Sequence, residues 1–319
     1  MVFPGQGSQA VGMMRGYEGL PEVSEILSEA GQVLGNDFLK VLNEGPAETL
    51  NLTVNTQPAM VTAGYAAYRA WRALGGPQPE IVAGHSLGEY TALTAAGALS
   101  LADCLPLVRF RAQSMQQAVP QGKGAMAAIL GLDDDAAKAA CAEAGGEVQA
   151  VNFNSPGQVV IAGEAQAVVR AIEKCKARGA KRAMPLPVSA PFHSSLMRPA
   201  AERLKGYLEK VAVASPKIAV VNNVDVKTET DPARIKDALV RQAASPVRWV
   251  ETIQAMIGMG ATHIVECGPG KVLSGLTRRI AKDLPSFALA DRASLEQALK
   301  EIGPAFKEIG QAFKEVPHA

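Results

Sequence analysis

The chain has 319 residues, 48% of them hydrophobic and 20% charged, and its 32 Lys and Arg against 31 Asp and Glu give a formal net charge of +1. A chain of this length and apolar content buries a sizeable core, which excludes a disordered protein, and charges spread without a basic block argue against a nucleic-acid binder. Cys104, Cys141, Cys175 and Cys267 show no CxxC spacing, no apolar run approaches ~20 residues, and Met1-Val2-Phe3-Pro4 opens no signal peptide, so the sequence predicts a cytoplasmic protein with reduced thiols, no zinc site and no membrane span.

Val23, Ile26, Leu27, Ala30, Val33 and Leu34 recur at helical spacing. Pro58 to Leu74 predicts a helix with the proline at its start and Gly75-Gly76-Pro77 ending it. Ile81-Val82-Ala83 is a short strand, and the pattern turns helical from Leu87 to Ala96. Ser100-Leu101-Ala102-Asp103 reads as a capping box opening a helix that runs to about Val119.

A strand over 125–132, a helix over 134–144, strands over 148–153 and 158–162, a helix over 164–177 and a strand over 182–188 follow. The order β-α-β-β-α-β predicts a small ferredoxin-like subdomain over 120–188. It is inserted into a large α/β subdomain made of 1–119 and 189–295, where Ile218 to Asn222 and His263 to Glu266 are further strands. The fold class expected is therefore α/β: an α/β-hydrolase-like core with a short, largely parallel sheet, plus the insert.

Residues 296–319 form a heptad-like helical tail, in which Lys300-Glu301-Ile302-Gly303 repeats seven residues on as Lys307-Glu308-Ile309-Gly310. Leu299, Ile302, Phe306, Ile309, Phe313 and Val316 would make one apolar stripe, facing either the body of the protein or a partner. Gly303, Pro304 and Gly310 weaken a long helix there, by ~1 kcal/mol per Gly and more for Pro.

Gly84-His85-Ser86-Leu87-Gly88 fits G-x-S-x-G between a predicted strand and a predicted helix, the setting of a nucleophile elbow. A tight turn needs small residues on both sides of the serine. It holds the hydroxyl at a helix N-terminus, where free N–H groups and the helix dipole favour negative charge. The Leu87 N–H is then a natural oxyanion donor. The bland alternative is a structural Gly-rich turn.

Ser86 needs a base. His85 adjoins it and points away, His318 sits in the tail, and His263 opens an apolar strand. His193 remains by elimination, in the loop Ser189-Ala190-Pro191-Phe192-His193-Ser194-Ser195. No carboxylate sits in a motif beside the pair, so a carbonyl would fix the imidazole tautomer and a Ser–His dyad is expected. The helix opened at Ser100 carries Arg109 and Arg111 beside its stripe of Leu105, Val108, Ala112 and Met115, and periodicity does not choose between them.

Four motifs together carry a resemblance: Pro4-Gly5-Gln6-Gly7-Ser8-Gln9, Gly84-His85-Ser86-Leu87-Gly88-Glu89-Tyr90, Val151-Asn152-Phe153-Asn154-Ser155-Pro156-Gly157 and Gly268-Pro269-Gly270-Lys271-Val272-Leu273. Over roughly residues 1–290 the chain resembles the malonyl-CoA:acyl-carrier-protein transacylases of bacterial fatty-acid synthesis. The resemblance implies that Ser86 takes the malonyl group as an ester, with His193 as its base. Gln242 would hold His193 through its main-chain carbonyl. Gln6 would shape the oxyanion hole with the Leu87 N–H. Arg111, selected by its spacing to Met115, would bind the malonyl carboxylate through two parallel hydrogen bonds. Asn152 and Asn154 would line the cleft, and Phe192 and Leu87 resemble malonyl-selective members.

The implied partners are malonyl-CoA and an acyl carrier protein bearing phosphopantetheine. No metal or other cofactor, no nucleic acid and no membrane is expected, and the chain is expected to be a monomer. Lys181-Arg182 and Arg278-Arg279 are candidates for a basic patch toward an acidic carrier, or simply solvated charges. Only Met1-Val2-Phe3 precede the first motif, fewer residues than the family usually has, so a short first strand or a trimmed chain is expected. The rival functions are a serine hydrolase, a non-catalytic acyl-binding module, and a relative that loads another acyl group such as methylmalonyl.

Overall fold

Short runs of small and β-branched apolar residues make the strands that organise this chain: β1 (Val2–Phe3), β2 (Ile81–Gly84), β3 (Gly124–Leu130), β4 (Val148–Ser155), β5 (Gln158–Glu164), β6 (Arg182–Pro185), β7 (Ala219–Val221), β8 (Ile264–Cys267) and β9 (Ser286–Leu289). The computed structural model describes residues 1–188 and 190–312, with the backbone alone for 304–312. Ser189, Phe313, Val316 and His318 therefore lie outside the described residues, as do the side chains of Phe306 and Ile309.

Among the described residues five strands form one sheet in the order β7-β2-β1-β8-β9, and every neighbouring pair is parallel. Strands β1, β2 and β8 are buried along their whole length, as expected for a parallel sheet covered on both faces. Parallel pairing puts all the C-terminal strand ends, and the loops that follow them, on one edge. There Pro4-Gly5-Gln6 leaves β1, the Gly84–Gly88 turn leaves β2, Asn222-Asn223 leaves β7 and Gly268-Pro269-Gly270 leaves β8. Motifs far apart in sequence meet at this edge because the sheet is parallel.

Helix Thr53–Ala73 packs against helices Pro21–Leu34, Gly88–Ala95 and Leu101–Gln117 and is buried on nearly all sides. It starts five residues before the expected proline, so Pro58 lies inside it rather than at its start. The missing N–H leaves the Val54 carbonyl without its usual donor, a cost that burial of the surrounding helix offsets. At the start of Leu101–Gln117, Ser100 Oγ accepts from the Asp103 N–H at 3.0 Å. Asp103 answers the Ser100 hydroxyl at 2.6 Å rather than its N–H, so half of the expected capping box forms.

Strands β3 to β6 form a second, antiparallel sheet in the order β4-β5-β3-β6, with helices Asp134–Ala144 and Ala165–Ala177 on one face. That is the ferredoxin-like order. β6 ends at Pro185, short of the expected Val188; Leu186 N–H still donates to Met126 O at 2.9 Å, and Pro187, which has no N–H, follows. The opposite face of this sheet presents Met126, Val151, Val160 and Ala162 to Leu186, Val188 and Phe192. Edge strand β4 is stitched to the large sheet's side of the molecule: Phe153 N–H donates to Val247 O at 3.0 Å and Val247 N–H to Val151 O at 2.8 Å.

A single helix runs from Arg292 to Ala312, starting before residue 296 and continuing through Gly303 and Pro304. Of the expected stripe, Ile302 is buried in the main core beside Leu295 and Ala298, and Leu299 packs partly buried against it, so this part faces the body of the protein. Among the described residues no helix is long and apolar enough to cross a membrane.

Candidate active site

The turn after β2 is built by exclusion. A Cβ on Gly84 would lie 1.8 Å from the Gly88 carbonyl carbon, and one on Gly88 would lie 2.0 Å from Phe3 O. No side chain fits at either place, so the chain can turn this tightly only between two glycines. Ser86, held at φ 52°, takes the strain of the turn. A non-glycine residue in that region costs about 1–3 kcal/mol and persists where its surroundings over-determine it. They do so here: the Ser86 N–H donates to Asn223 Oδ1 at 2.6 Å, and the Ser86 carbonyl accepts from Gln242 Nε2 at 3.0 Å.

His193 also has a positive φ, 65°, and is buried. Its Nε2 stands 2.6 Å from Ser86 Oγ. Its Nδ1 faces two main-chain acceptors, Gln242 O at 3.0 Å and Ser245 O at 3.2 Å. Carbonyls only accept, so Nδ1 carries the hydrogen and Nε2 presents its lone pair to the Ser86 hydroxyl. Burial, with the Arg111 charge second, pushes the His193 pKa down to about 3, so the ring is neutral at physiological pH. The Ser245 carbonyl was not foreseen; it is held in place by the neighbouring bridge between Val247 and β4.

Arg111 and Arg109 separate cleanly in three dimensions. Arg109 is half-buried over the Phe38 ring. Arg111 is 2% exposed and sits over the Tyr90 ring, 5.3 Å from its centroid. Its Nη2 donates to Ser86 Oγ at 3.1 Å and to Gln242 Oε1 at 3.0 Å. Its Nε has no hydrogen-bond partner, and no ion pair to Arg111 occurs among the described residues. A buried guanidinium with no carboxylate in direct contact can bind an anionic group strongly.

Glu89, one residue past the elbow, is a buried acid that the sequence reading missed. Its Oε2 accepts from Gln242 Nε2 at 2.9 Å and from the Asn223 N–H at 2.9 Å. Burial raises its pKa to about 7, opposed by the Gln242 and Asn223 hydrogen bonds and by the Arg111 charge. It does not touch His193, so the imidazole is oriented by carbonyls alone.

These groups open on a cavity between the two sheets. Of the residues picked out from sequence, Gln6, Ser86, Leu87, Arg111, Met115, Asn152, Phe192 and His193 line it. Gln242 lies just behind, joined to the cavity through its bonds to Ser86, Arg111 and His193. Asn154 is not among the lining residues: its Oδ1 pairs with His85 Nε2 at 2.8 Å, after bulges in β4 alter the alternation. Gln57, His85, Met126, Leu186 and Val188 complete the lining. Gln57, Met126, Leu186 and Val188 carried no motif: Gln57 comes from helix Thr53–Ala73, Met126 from β3, and Leu186 and Val188 from the segment that follows β6. A second cavity, between Trp71, Pro79 and His263, contains neither serine nor cysteine.

The arrangement offers a hydroxyl with an acceptor for its proton, backbone donors at a helix N-terminus and a buried cation in one enclosure. Those are the elements of acyl transfer to serine from a substrate with an anionic end. Comparison with known proteins agrees. Residues 1–299 match the acyl transferase domain. The chain is 53% identical over 302 residues to the malonyl CoA-acyl carrier protein transacylase of Escherichia coli (strain K12), covering 94% of this chain and 98% of that one. Among solved structures, the acyl-carrier-protein S-malonyltransferase of Burkholderia pseudomallei 1710b is 62% identical with a TM-score of 0.92, covering 94% of this chain and 98% of the other. A malonyl-transacylase solved in complex with its type II PKS acyl-carrier protein is 50% identical with a TM-score of 0.92, again over 94% and 98%.

Proposed function

The chain belongs to the acyl transferase domain family and is an acyltransferase; on that premise we propose that it moves a malonyl group from malonyl-CoA to the phosphopantetheine thiol of an acyl carrier protein, through an ester on Ser86. The observation that carries this reading is the 2.6 Å contact of Ser86 Oγ with His193 Nε2 beside a buried, carboxylate-free Arg111.

Malonyl-CoA enters the cavity with its free carboxylate on Arg111. His193 Nε2 takes the hydroxyl proton as Ser86 Oγ bonds to the thioester carbon. The Leu87 N–H and the Gln6 turn stabilise the oxyanion, and losing one such donor typically costs ~10²–10³ in rate. The carbon–sulfur bond breaks, and coenzyme A leaves with the proton from His193. The carrier's thiol then gives its proton to His193 and attacks the ester. The Ser86 oxygen recovers that proton as malonyl thioester is released. The two half-reactions make the kinetics ping-pong. Protein groups supply every role, so the scheme calls for no metal or cofactor.

The same reading gives the chain a large lobe, residues 1–119 and 189–295, a small one, 120–188, and a tail from 296, with Asn152 and Phe192 on the substrate. It places the protein in the cytoplasm as a monomer serving fatty-acid synthesis. Intact-protein mass spectrometry tests it. Malonyl-CoA should add one malonyl mass to the wild type and none to Ser86→Ala, and holo carrier protein should remove it. Free malonate released at the same rate with and without carrier would point to a hydrolase instead. A mass gain that survives Ser86→Ala overturns the reading.

A further inference from the structure

The transfer steps leave Glu89 unused, yet it is 2% exposed and bonded to the main-chain N–H of Asn223 and the side chain of Gln242, the two residues whose side chains grip the nucleophile's peptide. Asn223, whose N–H binds Glu89, holds the Ser86 N–H with its Oδ1 and the Gly84 carbonyl with its Nδ2. Gln242, whose Nε2 binds Glu89, holds the Ser86 carbonyl with the same nitrogen and Arg111 with its Oε1.

We propose that Glu89 is a positioning residue for substrate choice: by fixing the Gln242 amide it fixes the pose of Arg111, and so the preference for acyl groups that end in a carboxylate. This rests on the reading that Arg111 receives the malonyl carboxylate.

An amide has one donating and one accepting end. The two Nε2 hydrogens of Gln242 have two acceptors, Ser86 O at 3.0 Å and Glu89 Oε2 at 2.9 Å. Oε1 is thereby left for Arg111 Nη2 at 3.0 Å. Turning the amide over would set its oxygen against a carbonyl and a carboxylate, and its NH₂ against a guanidinium. Glu89 has an oxygen at both ends, and the Oε2 that meets Gln242 also accepts from the Asn223 N–H, so it faces the amide as an acceptor and forbids that inversion. A glutamine there could present either end and would permit it.

Placing the acid one amide away also matters for charge. A carboxylate in direct contact would neutralise Arg111 and compete with the substrate. Through Gln242, Glu89 orients the cation and leaves its remaining donors open to an incoming anion. An acetyl group fills none of those donors, so it gains nothing from the orientation.

The test is the acylation rate of Ser86 by malonyl-CoA and by acetyl-CoA, read as mass gain on the full chain. Glu89→Gln should lower the malonyl rate about tenfold or more, the scale of one oriented hydrogen bond to a charge. The acetyl rate should fall by a smaller factor, only through the Ser86 carbonyl that Gln242 also holds, so the malonyl-to-acetyl ratio narrows. Gln242→Leu keeps the main-chain carbonyl for His193 but cuts the relay. It should narrow the ratio similarly, and adding Glu89→Gln to it should narrow the ratio no further. A purely structural role for Glu89 lowers both rates together. If either variant folds and keeps the wild-type ratio, the proposal is overturned; should Glu89→Gln fail to fold, Gln242→Leu decides by the same criterion. A wild type that takes no malonyl, or takes acetyl equally well, removes the functional reading itself, an outcome separate from any in the variants.

Discussion

Replacing Arg111 with alanine should change what the enzyme accepts far more than how well it works. The guanidinium is 2% exposed, and of its neighbours only Ser86 Oγ at 3.1 Å and Gln242 Oε1 at 3.0 Å take a hydrogen bond from it. A malonyl carboxylate desolvated in the same cavity would be left as an unpaired buried charge once the arginine is gone. Breaking a buried pair in this way costs about 3–5 kcal/mol. At about 1.4 kcal/mol per factor of ten, kcat/KM for malonyl-CoA should fall roughly 10²- to 10⁴-fold. Acetyl-CoA has no carboxylate to strand. It loses only the Arg111 bond to Ser86 Oγ, about 1 kcal/mol or roughly fivefold. Arg111→Lys should fall between, since an ammonium keeps the charge but not the planar fork. The assay is Ser86 mass gain against time at low concentrations of each thioester. Equal losses for malonyl and acetyl, or a malonyl loss under tenfold, would refute the assignment.

Two further outcomes follow from the geometry. Since the His193 pKa is held near 3 in the folded protein, below the ordinary 6.5, the unfolded chain takes up the proton first as pH falls. Its contribution is thus complete above about pH 6.5 and is lost progressively toward pH 3, about 5 kcal/mol in all. Urea midpoints measured between pH 7.5 and 4.5 should drop more steeply in wild type than in His193→Asn, and parallel slopes would contradict the burial argument. Gly88→Ala would place a Cβ 2.0 Å from Phe3 O. It should cost several kcal/mol, seen as insolubility or a melting temperature lower by at least ~5 °C; a melting temperature unchanged within error would mean that the turn is looser than described.

Much of this protein was legible in one dimension. Two glycines around a serine between a strand and a helix specify an elbow, because no other residues fit the turn, and the β-α-β-β-α-β order was readable as alternating periodicity. The ends of elements were less so: Pro58 lies inside its helix because burial outweighs the lost hydrogen bond. His193 could be reached by elimination, but its second carbonyl, Ser245 O, comes from a loop held by a bridge to β4 that no local pattern encodes. The choice of Arg111 over Arg109 was invisible to periodicity, since both flank the same stripe; which one is buried depends on what packs beside each. Glu89 stood next to the motif and still went unread, because its role requires Gln242 and Asn223, more than 130 residues away in the chain, to fold beneath it. Sequence fixes what each turn and helix can be, through local sterics and spacing. Which charges are stripped of water and left facing each other is settled only when distant elements close over them.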